Sequence, residues 1–270
     1  MGVMLLKRKL TSFQIIILGF SGVILFGTFL LMLPFSSRSG LATPFSDALF
    51  TSTSAVCVTG LIIHDTATYW SAFGQLVILM LIQIGGMGVI TVAASFAMIS
   101  GRKISLMQRS TMQEAISAPK VGGIVRLTGF IVRVTLVAEL LCAAVMAPVF
   151  CRDFGKIGLW MALFHSVSAF CNAGFDLLGV RTPFSSLTSY AANPVINFTI
   201  MFLIVFGGIG FLTWDDIRTN RLHLRKYRMQ SKVILCTTAV LLIVPAMYFY
   251  FLSLLILPER NGFYLLFFKP

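Results

Sequence analysis

Long apolar stretches separated by short polar segments run along the whole chain. A helix needs about 20 apolar residues to cross the hydrocarbon core of a bilayer. Five stretches reach that length: residues 12–34, 70–99, 124–150, 190–213 and 232–257. The first follows a basic segment, as in a signal peptide, but it is too long and lacks a small-residue cleavage site. The pattern therefore predicts an all-α membrane protein whose first spanning helix is retained.

Two shorter apolar stretches, residues 45–56 and 157–170, do not reach across a bilayer. Such a segment can dip into the membrane and return as a re-entrant helix if its backbone polar groups are paired. For either stretch taken alone, an amphipathic helix on the membrane surface is the alternative. Ser46 and Asp47 are expected to cap the amino-terminal end of the first short helix.

An internal repeat favours the re-entrant interpretation. Residues 48–61 return as residues 162–175, 114 positions later and without a gap, and the glycine cluster at 85–88 is echoed at 207–210. Each unit then holds two spanning helices around one re-entrant segment, so it begins and ends on the same membrane face. The sequence thus predicts tandem parallel helix, pore-loop, helix repeats at 10–115 and 116–228, with the first helix of an incomplete third repeat at 229–270. An inverted-repeat transporter is disfavoured, because it needs an odd number of spans per repeat.

Composition and charge agree with this topology. Hydrophobic residues make up 57% of the 270 residues and charged residues 11%, which a soluble domain could not cover with polar surface. The net charge of +12 would suggest nucleic acid as a partner of a soluble protein. Here the basic residues lie between the spans, fourteen on one predicted face and four on the other: Arg38, Arg152, Lys156 and Arg181. The positive-inside rule therefore predicts a cytoplasmic amino terminus and no nucleic-acid partner.

The segments after the two short helices, 56–61 and 170–175, have the position and length of a cation filter. A filter for a dehydrated cation is an extended stretch whose backbone carbonyls replace the hydration shell. Gly60 and Gly174 stand at the same place in both copies, where consecutive carbonyls require backbone conformations that glycine adopts without strain. Neither segment contains an acidic residue. The predicted ligands are the carbonyl oxygens of Val58, Thr59, Gly60, Asn172, Ala173 and Gly174.

Four further residues flank these segments. Asp65 and Asp176 could hold the filter in place or attract cations at its outer mouth. Cys57 and Cys171 are expected to pack as small residues behind the filter. The five cysteines show no metal-ligand spacing and no disulfide pattern.

Two other features have competing interpretations. The glycine clusters at 85–88 and 207–210 are expected to allow close helix approach, with a hinge as the alternative. Arg133 and Glu139 are costly charges within a predicted span. Because they are six positions apart, they are expected to face different partners or to reach the membrane surface.

Ser54–Leu61, followed by Gln83–Gly88, resembles the first repeat of the Trk/Ktr/HKT potassium transporter superfamily, specifically its Ktr-type membrane subunit. Ser168–Asp176 is similar to that family's second filter segment. The resemblance covers residues 10–235. It implies potassium uptake through a pore of four repeats in the inner (plasma) membrane, with Na⁺ as a candidate coupling ion. It also implies a homodimer, regulation by a cytoplasmic nucleotide-binding ring, and no tightly bound cofactor or metal beyond the transported K⁺.

The sequence departs from that pattern in one respect. It contains two filter segments, and the segment after residue 257 lacks a third. The chain is therefore expected to be truncated after two repeats, although two copies together could supply four filters. A non-conducting membrane scaffold or an inactive fragment is the alternative. His64, His165 and His223 show no catalytic spacing, so an enzyme is not expected.

Overall fold

Helices form the regular elements of the computed structural model, which describes residues 11–100, 106–115, 123–221 and 223–256. The α-helices in these ranges are α1 Ser12–Met32, α2 Phe45–Val56, α3 Ala72–Met87, α4 Val89–Ile99, α5 Leu106–Ala115, α6 Ile124–Phe154, α7 Ile157–Phe170, α8 Pro194–Gly208, α9 Phe211–Asn220 and α10 Met229–Ile256. The starts of the first and second predicted repeats, at residues 10 and 116, and the segment 257–270 lie outside the described residues.

Three of the predicted spans are single helices of sufficient length and hydropathy to cross a membrane, namely α1, α6 and α10. Helix α1 begins at a capping box, in which the Thr11 hydroxyl accepts from the amide of Gln14 and the Gln14 side chain accepts from the Thr11 amide. It ends two residues before Pro34, because proline disfavours helical backbone in the residue that precedes it. These spans are confirmed.

The other two predicted spans are bent helix pairs. Helices α3 and α4 meet at an angle of 100°, and α8 and α9 meet at 90°. Gly88 and Gly210 lie at the two bends with φ of 84° and 86°, a region that favours glycine. The predicted spans 70–99 and 190–213 therefore each consist of two helices joined at a bend. Apolar residues continue past each bend, so hydropathy alone does not reveal the break.

The two short helices have the bounds that the hydropathy pattern predicts. Helix α2 packs between α1 and α3, and α7 packs between α6 and α8. Most of the α7 side chains are buried, which an amphipathic surface helix would not permit. Ser46 and Asp47 do not cap α2 as predicted: Pro44 occupies the N-cap without a side-chain bond, and Asp47 instead accepts hydrogen bonds from Ser46 and His64.

One hydrophobic core joins the helices around both short ones. Trp70, Phe150 and Phe164 are the largest fully buried side chains in it. Helix α7 also contacts α3, and the indole nitrogen of Trp160 donates to Oε1 of Gln75 at 2.9 Å across that contact. The sequence order of long helix, short helix and bent pair thus occurs twice, and the two sets pack directly against each other.

Candidate selectivity filter

Helix α2 ends in a Schellman turn, a two-bond arrangement that satisfies carbonyls at the end of a helix. The amide of Val58 donates to the carbonyl of Ala55 at 3.3 Å. The amide of Thr59 donates to the carbonyl of Ser54 at 2.9 Å. The chain leaves the helix through this turn and enters the first predicted filter segment.

Helix α7 ends in the same turn. The amide of Asn172 donates to the carbonyl of Ala169 at 3.1 Å, and the amide of Ala173 donates to the carbonyl of Ser168 at 2.7 Å. The repeated sequence therefore produces a repeated backbone geometry. Both carboxyl-terminal helix ends, which carry partial negative charge, lie directly before the predicted filter segments.

The Schellman turn places one residue of each segment in the left-handed region. Val58 has a φ of 57° and Asn172 a φ of 58°. Asparagine tolerates this region, whereas it is a genuine outlier for a β-branched residue such as valine. The first segment therefore carries local backbone strain that the second avoids, and such strain concentrates at functional sites.

Gly60 and Gly174 follow these turns with φ of 76° and 73°. A Cβ on Gly60 would lie 2.7 Å from the carbonyl oxygen of Ala173 and 3.5 Å from the Cα of Gly174. The two predicted segments, which are 114 positions apart in the sequence, therefore come together in space. A side chain at Gly60 would occupy the space beside a carbonyl of the other segment.

The carbonyl oxygens of the two segments are free of backbone pairing. Within the described ranges, no backbone amide donates a hydrogen bond to the carbonyls of Val58, Thr59, Gly60, Asn172, Ala173 or Gly174. Thr59, Asn172 and Gly174 are exposed, so these segments present backbone groups at the surface of the described chain. The six carbonyl oxygens are therefore not committed to secondary structure.

Serines near the end of each short helix hold the segments. The Thr59 hydroxyl donates to the Ser54 hydroxyl at 2.9 Å. In the second copy, the Ser168 hydroxyl donates to the carbonyl of Phe175 at 2.6 Å. These serines occupy equivalent positions in the repeat but bond different partners, because threonine in the first copy is replaced by Ala173 in the second.

The glycine clusters bring a neighbouring helix against each turn. A Cβ on Gly85 would collide with the carbonyl of Val56, and one on Gly207 would collide with the carbonyl of Phe170. Val56 and Phe170 are the last residues of α2 and α7. Close packing of these glycines, as predicted, therefore coexists with the bend at the last glycine of each cluster.

The two sets differ at their next glycine. A Cβ on Gly86 would collide with Sγ of Cys171, whereas one on Gly208 would meet only the Asn172 side chain at 3.8 Å. Cys171 is buried, but its counterpart Cys57 is exposed. The expectation that both cysteines pack behind the filter is therefore wrong for Cys57 in this chain. The contact between the two sets of helices therefore covers Gly86 and Cys171 but leaves Gly208 and Cys57 uncovered.

Comparison with known families gives an independent finding about the chain. Residues 7–260 match the profile of a family described as "TrkH: Cation transport protein". The chain belongs to the TrkH family. This confirms the resemblance drawn from the filter segments, as well as the all-α membrane fold with pore-loop repeats.

Relatives of this TrkH-family chain include three uptake proteins. The potassium/sodium uptake protein NtpJ of Enterococcus hirae is 41% identical over 257 residues, 95% of this chain and 54% of the relative. The Ktr system potassium uptake protein B of Bacillus subtilis is 39% identical over 86% of this chain and 51% of its own length. That of Vibrio alginolyticus is 37% identical over 92% and 53%. The chain spans about half the length of each.

Asp65 links the loops that follow the two filter segments of this TrkH-family chain. Its side chain is buried, and Oδ1 accepts from the amides of Ala67 and Thr68 at 3.0 and 2.9 Å. Its Oδ2 accepts from the amide of Phe184 at 2.9 Å, and a Cβ on Gly179 would collide with it. Of the two predicted roles, this geometry favours holding the filter loops.

Asp176 lies closer to solvent than Asp65. Its Oδ1 accepts from the amide of Leu178 at 2.9 Å, and the side chain is half-buried. Together with Asn172 and Gly174 it lines a cavity of about 200 Å³ beside the second segment. This position keeps the cation-attracting role open for Asp176.

Glu139 and Gln83 lie close together behind the second segment, which the sequence did not predict. The Glu139 side chain is buried near that of Gln83, but among the described residues Oε1 of Glu139 and both polar side-chain atoms of Gln83 make no hydrogen bond. The Glu139 carbonyl accepts from the hydroxyl of Ser166 in α7 at 2.7 Å. The charge of Glu139 within a span signals such a site, but Gln83 could not be assigned because it belongs to the other repeat.

Tyr190, which precedes α8, binds charged residues at the carboxyl-terminal end of α6 and in the loop before Tyr190 itself. Its hydroxyl donates to Oδ2 of Asp153 at 2.7 Å, and Arg181 lies over its ring at 5.5 Å. Burial, and then the hydrogen bond to Asp153, raises the pKa of Tyr190 to about 12. The sequence carries no signal for this cluster, because its members are far apart along the chain.

Proposed function

We propose that the chain forms part of a potassium uptake pathway in which K⁺ passes the carbonyl oxygens of both segments. The observation that carries this proposal is the approach of Gly60 and Gly174, which brings together two segments whose carbonyls have no backbone donor. Carbonyl dipoles without a carboxylate ring suit a dehydrated monovalent cation. The names of the relatives, which specify potassium uptake and in one case sodium, support K⁺ as substrate and Na⁺ as a candidate coupling ion.

The proposed orientation places the amino terminus in the cytoplasm and the chain in the inner membrane. The excess of basic residues on the face that holds the α9 region supports this orientation. The short helices α2 and α7 then enter from the outer face and direct their partially negative ends toward the cation. In this reading residues 10–115 and 116–228 are parallel repeats, and 229–270 begins a third.

The exposed Cys57 and the uncovered Gly208 mark where further repeats would join. The contact between Gly86 and Cys171 shows how neighbouring sets pack, and the same contact could form at both open surfaces. We propose that the remaining repeats come from the rest of a longer chain or from a second copy. A homodimer and a cytoplasmic nucleotide-binding ring are further parts of the proposal. The "Ktr system" names of the relatives support a membrane subunit that works within a system of several components.

Uptake of rubidium or potassium in cells that lack their own potassium transporters tests the function. The parent chain should restore uptake, and Gly60→Ser and Gly174→Ser should abolish it. Gly40→Ser is the matched control, because Gly40 also has a positive φ of 69° but nothing lies within 4 Å of its Cβ position. Equal uptake by all the variants would refute the filter assignment.

A non-conducting membrane scaffold, or an inactive fragment, is the second candidate. The exposed Cys57 and the open space at Gly208 favour it, because no described helix covers either position. Absence of uptake, both by the well-expressed parent chain and by a longer chain that adds further repeats to it, would support this second candidate. We do not propose an enzymatic activity, because the TrkH family is described as a cation transport protein.

A further inference from the structure

A basic cavity lies between helices α4, α6 and α9, away from the filter. Its volume is about 450 Å³. Three arginines from two helices line it: Arg126, Arg133 and Arg218. Apolar side chains complete the lining, namely Met98, Val125 and Phe130. The cavity thus combines concentrated positive charge with an apolar wall.

These arginines have no acidic partner in the part of the chain that the structure describes. Ion pairs there involve Arg152, Arg181 and Arg228, but none of the three cavity arginines. The two aspartates of α9, which are nearest in sequence to Arg218, are both paired with Arg228. Three unneutralised guanidinium groups at one cavity favour an anion.

The depth of Arg133 also indicates that this anion belongs to a molecule that lies in the membrane. Arg133 lies two helical turns beyond Arg126 on the same face of α6, about 10 Å deeper into a spanning helix. A charge at that depth is costly unless it is paired or reaches a polar layer. The guanidinium of Arg218 lies over the ring of Phe130 at 4.7 Å, which orients it without neutralising it.

We propose that this cavity binds the phosphate group of an anionic phospholipid. Arginine forks suit phosphate oxygens, and basic pockets between spanning helices on the cytoplasmic side are suited to lipid headgroups. The apolar wall, continued along α6 by the exposed Leu136 and Leu140, would contact an acyl chain. The leaflet follows from the orientation proposed above, but lipid binding does not depend on ion conduction.

Lipid titration of the purified chain in detergent, followed by native mass spectrometry, tests this proposal without an uptake assay. Phosphatidylglycerol should bind at one saturable site, at least about tenfold more tightly than phosphatidylcholine. Inorganic phosphate at equal concentration should not displace it. Equal binding of the two lipids, or full displacement by inorganic phosphate, would overturn the proposal, the latter in favour of a soluble anion.

Variants assign the binding to the cavity. Loss of one charged hydrogen-bond donor in Arg133→Gln should weaken phosphatidylglycerol binding by about ten- to hundredfold. Gly129→Leu should do the same by filling the cavity, because nothing lies within 4 Å of the Gly129 Cβ position and all three arginines are retained. Arg225→Gln, an equal charge change at an exposed site outside the cavity, is the control. If all three variants bind the lipid like the parent, the site lies elsewhere.

Discussion

Gly60 lies against Gly174, so that a Cβ on Gly60 would sit 3.5 Å from the Cα of Gly174 and 2.7 Å from the carbonyl oxygen of Ala173. A Cβ on Gly174 would meet only the Cα of Gly60, at 3.5 Å. The two glycines are therefore equivalent in backbone conformation but not in the room around them. This difference makes the two segments experimentally separable.

Gly60→Ala should be more harmful than Gly174→Ala. Both variants place a non-glycine residue at positive φ, which costs about 1–2 kcal/mol, but the first also presses against the Ala173 carbonyl. Thermal unfolding of the purified chain in detergent, together with rubidium uptake, measures the difference. Equal losses in the two variants would contradict the asymmetric contact.

Exchanging the residues at the two left-handed positions should change stability in opposite directions. Val58→Asn relieves strain that Asn172 avoids, so it should raise the free energy of unfolding by about 1 kcal/mol. Asn172→Val should lower it by a similar amount. Unfolding midpoints in detergent provide the comparison. A destabilised Val58→Asn variant would mean that the valine side chain has a packing role that outweighs its backbone strain.

The same sequence features predicted some of the structure and missed other parts for physical reasons. The bounds of α2 and α7 could be predicted because hydropathy and the gapless repeat agree on them. The bend at Gly88 could not, because α3 and α4 are similarly apolar and glycine is compatible with both packing and bending. At Gly210 the chain stays largely apolar as far as Trp214, so the polar residues of α9 begin too late to mark the bend. Only the three-dimensional structure shows that Gly85 and Gly207 pack against a neighbouring helix end, whereas Gly88 and Gly210 lie at the bends.

Contacts between the two sets of helices likewise could not be predicted from a single sequence. Asp65 binds the amide of Phe184, 119 positions later, and Gly86 packs on Cys171. The sequence of each repeat predicts the helices of that repeat. It does not indicate which faces of those helices contact the other repeat. For the same reason the exposure of Cys57 was not anticipated.

Asp65→Asn should destabilise the loops after the filter segments. An amide can replace only one of the two carboxylate oxygens, and Oδ1 and Oδ2 both accept buried hydrogen bonds. The expected loss is about 1.5–3 kcal/mol in the free energy of unfolding. Asp176→Asn is the control, because the structure gives its carboxylate a single hydrogen bond, from the Leu178 amide. Equal stability of the two variants would argue against the linking role of Asp65.

Tyr190 should make stability fall at alkaline pH. Its pKa is raised from 10.0 to about 12 by burial and then by the bond to Asp153. The stabilisation is therefore fully present below pH 10 and is lost as the pH rises from 10 toward 12. Tyr190→Phe should be less stable than the parent at pH 8, with a difference that shrinks across this window. A difference that is constant from pH 8 to 12 would exclude this linkage.

Comparison of Gly86→Ala with Gly208→Ala should distinguish effects on the folding of the two sets of helices from effects on their assembly with additional repeats. Gly86→Ala presses on Cys171, so it should lower the unfolding midpoint of the purified chain. Gly208→Ala has room in this chain and should change the free energy of unfolding by less than about 0.5 kcal/mol. If another set of helices packs on Gly208 as Cys171 packs on Gly86, the second variant should nevertheless lower uptake and the yield of the larger assembly in size-exclusion chromatography. Full uptake and unchanged assembly by Gly208→Ala would place the joining surface elsewhere.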